Sequence, residues 1–99
     1  MGYDVYFQSA DGRARTSILN MSYSYNAFYS VFNFTKYKGK TGEELAPSIK
    51  AAIAELTRQY PSLTTSKDPY KPLPGNYVAY LTFLLEFAVK HPSWTLVYE

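Results

Sequence analysis

The sequence predicts an α+β fold: a small antiparallel sheet, made of an N-terminal hairpin and a C-terminal strand, with two main helices and one short helix packed on one face. Three observations predict it. A run of β-formers meets an Asp-Gly turn signal near the start, apolar residues at helical spacing fill the middle, and the tail alternates again. Ninety-nine residues make one domain, whose core has little to spare. Hydrophobic content of 46% against 18% charged belongs to a folded chain rather than a disordered one.

YDVYFQ, from Tyr3 to Gln8, reads as the first strand, and Asp11-Gly12 as the hairpin turn. The return strand is expected from about Arg13 to Tyr25. Along it Leu19, Met21, Tyr23 and Tyr25 share one face, while Asn20, Ser22 and Ser24 share the other. The alternation stops at Asn26, a good N-cap residue. Beyond it Phe28, Val31 and Phe32 follow i, i+3, i+4 spacing, which predicts a short helix. NFTKYKGK, from Asn33 to Lys40, is then a basic connector with Tyr37 among its lysines.

Thr41 with Glu44 three residues on is a capping-box pattern. Pro47 would clash with the carbonyl of residue 43 in an uninterrupted helix. The expectation is therefore one turn, a kink, and a main helix from about Pro47 to Tyr60. Its buried stripe would be Ile49, Ile53, Leu56 and Tyr60, with Lys50, Thr57 and Arg58 facing water. A proline-punctuated loop follows, and its four prolines (Pro61, Pro69, Pro72, Pro74) lower the entropy of ordering it. Gly75-Asn76 opens a second main helix that ends at about His91-Pro92. It is apolar almost all round, with a narrow polar stripe of Thr82, Glu86 and Lys90, so it belongs in the centre or in an interface. The tail SWTLVYE reads as a third strand beside the hairpin.

Composition narrows the chemistry. Without cysteine there are no disulfides, thiolate metal sites or thiol nucleophiles. The single histidine, His91, sits before a proline at a helix end, where its expected role is to meet terminal carbonyls. One His and no Cys do not make the usual zinc site, and no nucleophile elbow, P-loop or dinucleotide fingerprint occurs. A non-enzyme without cofactor or metal is expected. The longest apolar run, Tyr77 to Val89, is interrupted by Thr82 and Glu86 and is too short to cross a bilayer. No signal-peptide pattern opens the chain, so the expected setting is the cytosol.

Net charge is +2, but Gly12 to Gly42 holds five bases and no acid. Such a segment is a solvated basic loop or the footprint of an anionic partner. The candidate binding constellation joins the polar strand face (Asn20, Ser22, Ser24) to the helix start at Asn26, where backbone N–H groups can receive anionic oxygens. Arg13, Arg15, Lys36, Lys38 and Lys40 would supply charge, and Tyr29, Tyr37 or Tyr70 a stacking surface for a base. The polar row faces either that ligand or plain water. Five bases are a small footprint for a long nucleic acid, which is disfavoured.

MGYDVYF, LNMSYSYNAFY, YKGKTGEE, PSIKAAIAEL and PLPGN occur in that order. Together they resemble a family of small hypothetical proteins from phages and bacteria. That family has a YD[IL]Y strand, an N-[IV]-T-Y-N-Y-S stretch, a KT-containing connector, a P-x-L-x-x-A-I helix and an EGN-led helix. Asn20, Tyr23, Tyr25, Lys40-Thr41, Pro47 and Gly75-Asn76 match it, with Ser22, Ser24 and Asn26 replacing Thr, Asn and Ser. The family's Gly-rich insertion between the first strands is reduced here to the Asp-Gly hairpin, and its acidic, Trp-containing C-terminus becomes SWTLVYE. The resemblance implies a phage-type source and no mechanism. With that source, the expected function is a counter-defence sponge that sequesters a small anionic nucleotide-type ligand. The alternative is a protein–protein inhibitor of a host defence protein or a structural interaction module. A homo-oligomer is expected, because the apolar last helix can continue into a subunit contact and exposed tyrosines are favoured anchors.

Overall fold

A computed structural model describes residues 2–22, 28–68 and 73–99. It shows the expected α+β architecture, with a three-stranded antiparallel sheet in the order β2-β1-β3. Strand β1 (Gly2–Gln8) is central, β2 (Leu19–Ser22) lies on one side and β3 (Thr95–Tyr98) on the other. Helices α1 (Gly42–Gln59) and α2 (Pro74–Lys90) pack mainly on each other. The short helix is a 3-10 turn at Phe34–Tyr37, inside the stretch expected to be a connector.

The return strand begins at Leu19, later than the start expected near Arg13. Gln8 pairs with Arg15 and Val5 with Leu19, so Tyr6 and Phe7 face three residues, Thr16, Ser17 and Ile18. The extra residue is a β-bulge, which breaks the ladder and turns the chain. The turn before it holds Gly12 at φ +74°, a left-handed conformation natural to glycine. Asp11 closes that turn by accepting from the Ser9 hydroxyl and the Arg13 N–H, and these bonds hold its carboxyl below its ordinary pKa. Residues 23–25 of the expected strand lie outside the described residues.

Alternation then sorts the faces. Val5, Phe7, Met21 and Leu96 are buried in one core with Phe28, Phe32 and Phe34 and with Leu45, Ile49, Leu56, Tyr77, Leu81 and Leu84 from the helices. Each such side chain contributes roughly 1.5–3 kcal/mol on burial. Phe28 to Phe32 form a turn, the N–H groups of Val31 and Phe32 both reaching the Phe28 carbonyl, rather than a continuing helix. The spacing that predicted a helix there serves instead to bury Phe28 and Phe32 on the same side.

α1 is a single helix rather than a turn, a kink and a second segment. Pro47 lies in its second turn, and both it and Glu43, whose carbonyl loses its donor, are exposed, so water can replace the missing bond. The capping box forms: Thr41 Oγ1 accepts the Glu44 N–H at 3.2 Å and Glu44 accepts the Thr41 N–H at 3.1 Å. Leu45 and Ala52 join Ile49 and Leu56 in the buried stripe, whereas Tyr60 at the C-cap is 41% exposed. Gly42 is required by a close approach, since a Cβ there would lie 2.5 Å from the Ala88 carbonyl oxygen. The N–H groups of Gly42 and Glu43 donate to the carbonyls of Trp94 and Pro92, so the start of α1 is already occupied by the chain.

The loop before α2 is held by that helix's first turn. Gly75 donates its N–H to the Thr64 carbonyl, and a Cβ at Gly75 would meet the Leu63 carbonyl oxygen at 2.2 Å. Asn76 accepts from the N–H groups of Ser66 and Leu73 and donates to the Ser66 carbonyl. The stretch from Leu73 to Asn76 is thus a structural clasp.

Candidate functional site

The polar row of β2 does not stand alone. Asp4 on β1 pairs with Asn20 in register, and the Asn20 amide donates to the Asp4 carboxylate at 3.0 Å. Asp4 exchanges both backbone hydrogen bonds with Glu99, so the Asn20 backbone points to the open edge of the sheet. There its carbonyl accepts from the Tyr80 hydroxyl at 2.7 Å. An acid therefore faces Asn20 where an anion was expected. The backbone of Ser22 pairs with Gly2 at the end of β2; Ser24, Asn26 and Tyr70 lie outside the described residues.

The basic residues divide between opposite edges. Gly39 and Lys40 bond to Leu96, and Thr41 bridges to Thr95, so this connector covers the free edge of β3. β2 lies across the sheet from it, roughly three strand spacings of about 4.8 Å away. Lys38 sits over the Tyr98 ring at 5.1 Å, Lys40 is 3.9 Å from Glu44, and Lys36 is exposed. Of the candidate tyrosines, Tyr29 packs edge-on against Phe34 and Tyr37 stacks flat on Phe32 at 5.0 Å. Both rings serve the core margin.

Two concavities stand out among the described residues. The larger, about 640 Å³, runs between Phe32 and Tyr37 on one side and Ser48, Ala51 and Glu55 on the other. Its charged lining is acidic: Arg58 and Gln59 hold the Glu55 carboxyl down at about 2. No basic residue lines it among the described residues. The smaller, about 360 Å³, lies between the β1–β2 bulge and the last turns of α2. Arg15, Lys90 and His91 line it with Thr16, Ser17, Glu86 and Phe87. Two basic residues and one acidic residue therefore share its lining before His91 is considered.

Local structure positions these groups. The bulge turns Arg15 back over the Tyr6 ring, 5.4 Å from its centre, and Tyr6 is held by its hydroxyl on Glu99. Thr16 accepts from the Phe7 N–H and donates to the Ser17 carbonyl, so its hydroxyl belongs to the bulge. The His91 ring stacks on Trp94, centroids 3.6 Å apart and 13° from parallel, instead of meeting terminal carbonyls as its position in sequence predicts. The carbonyl of Phe87 is taken by the His91 backbone N–H. Arg13 is exposed beyond the turn. Sequence reasoning placed Arg15 in the site but missed Lys90, Glu86 and Phe87, which looked like the surface stripe and apolar body of a helix.

No family model, curated protein or solved structure matches this chain. The site rests on its geometry. No three His, Asp or Glu side chains gather into a metal-holding group among the described residues, and no helix there is long and apolar enough to cross a membrane.

Proposed function

We propose that the protein is a non-enzymatic binding module that holds a small anionic, nucleotide-type ligand in the cleft between the β1–β2 bulge and the end of α2. The observation that carries this reading is that Arg15, Lys90 and His91 line one concavity of about 360 Å³. That volume falls at the lower end of small-molecule sites. The carbonyl end of α2 disfavours an anion by a few tenths of a kcal/mol to about 1 kcal/mol, and two fixed cations outweigh it. In the phage-type setting that the motif resemblance implies, such a module acts in the host cytosol by sequestering a nucleotide signal. The stacked pair of His91 and Trp94 holds one wall of the cleft rigid, which lowers the entropy lost on binding.

Thermal unfolding at low salt tests this, with a panel of linear and cyclic mono-, di- and trinucleotides and ADP-ribose. A ligand at 100 times its Kd adds about 2.7 kcal/mol, which for a domain this size is a rise of about 10 °C or more. Lys90→Glu should abolish the rise, and Asn20→Ala should keep it. A flat panel would overturn the reading and leave a protein–protein inhibitor, for which Phe83 at 50% and Val89 at 61% exposure on α2 are the anchors. The opposite pattern in the two variants would move the site to the sheet face.

A further inference from the structure

The cleft is not uniformly cationic. Glu86 is its one acceptor-only side chain, and it lies four residues before Lys90 on the same side of α2. The two stand roughly 6 Å apart along the helix axis, yet no ion pair joins them, nor Glu86 to Arg15, among the described residues. Both side chains are exposed at the cleft rather than folded onto each other. A carboxylate in that place repels a ligand that is anionic throughout, such as inorganic phosphate. It favours one that is anionic at one end and offers hydrogen-bond donors at the other.

Resting on the nucleotide reading above, we infer that the ligand is a ribonucleotide whose sugar hydroxyls donate to Glu86 while its phosphate lies among Arg15, Lys90 and His91. A vicinal diol presents two O–H donors that match the two oxygens of one carboxylate, and carboxylates serve ribose hydroxyls in this way in dinucleotide sites. Phe87, half-buried between Glu86 and the bulge, gives the sugar or base an apolar surface. Ser17 is exposed at the same rim and adds a hydroxyl for a phosphate oxygen.

Calorimetric titration of the full chain at low salt with AMP, GMP, their 2′-deoxy forms and inorganic phosphate tests the assignment. The ribonucleotides should bind about tenfold tighter than their deoxy forms, the difference expected for one charge-assisted hydrogen bond, and phosphate weakest. Glu86→Ala, at an exposed helical site where folding is insensitive, should erase the difference between the ribo and deoxy forms. Equal affinity for ribo and deoxy forms, or a difference that survives in Glu86→Ala, would overturn the inference and leave the nucleotide reading standing. No binding by any of the four nucleotides, in a protein whose circular dichroism is that of the folded chain, would overturn the inference, and the nucleotide reading falls with it when the wider panel of cyclic and oligonucleotide ligands is flat as well.

Discussion

Replacing Asn76 with alanine removes three hydrogen bonds at once. Its Oδ1 accepts the N–H groups of Ser66 and Leu73, each at 2.9 Å, and its Nδ2 donates to the Ser66 carbonyl at 3.0 Å. At about 0.5–1.5 kcal/mol net for each, and with the group half-buried, the loss should be about 2–4 kcal/mol. For a domain near this size that lowers Tm by about 10–20 °C. Urea denaturation of the Asn76→Ala variant gives the free energy directly, and amide exchange shows where it acts. Ser66 should lose its protection first, because the clasp holds the loop to α2, while β1 keeps its own. Asn76→Asp should be little better, since a carboxylate sets an acceptor against the Ser66 carbonyl. A loss under about 1 kcal/mol, or uniform loss of protection across the sheet, would refute the clasp and make the loop an independent segment.

Tyr77→Phe should cost about 1–3 kcal/mol, the range for orphaning a buried acceptor, because the Tyr77 hydroxyl donates to the Phe32 carbonyl inside the core. Burial, with the Tyr29 hydroxyl nearby, pushes the Tyr77 pKa upward, so this cost should not vary between pH 6 and pH 9 in denaturation. Thr41→Ala should cost about 1 kcal/mol as a lost N-cap. Bonds from the Thr41 N–H and hydroxyl hold the Glu44 carboxyl below its ordinary 4.5. A depressed folded pKa means that its contribution is present above pH 4.5 and is lost as pH falls through the lower folded value. The gap between wild type and Thr41→Ala should therefore narrow below about pH 4.5 in a denaturation series; a constant gap would refute the capping box.

The local features were legible in the sequence because their partners are near in the chain. Thr41 and Glu44 cap α1 from three residues apart, and Gly12 takes the left-handed turn. The tail SWTLVYE reads as a strand from its alternation, and it forms β3 with Leu96 inside. The candidate site was only partly legible. Asn20 looked free until β1 brought Asp4 beside it, and the lysines of the connector looked like neighbours of that strand until β3 came between them.

By itself, then, the sequence determined the α+β class, the main helices and strands, and the absence of thiol chemistry. Each depends on backbone preference, on a period of two or 3.6 residues, or on residue type alone. Only the tertiary structure decided which charges meet. The bulge that brings Arg15 into one cleft lining with Lys90 and His91 depends on the register between β1 and its return strand, and no local periodicity carries a register shift of one residue. The clasp at Asn76 depends on how the loop crosses the start of α2. Polar partners distant in the chain are selected by packing, and packing is a property of the assembled core.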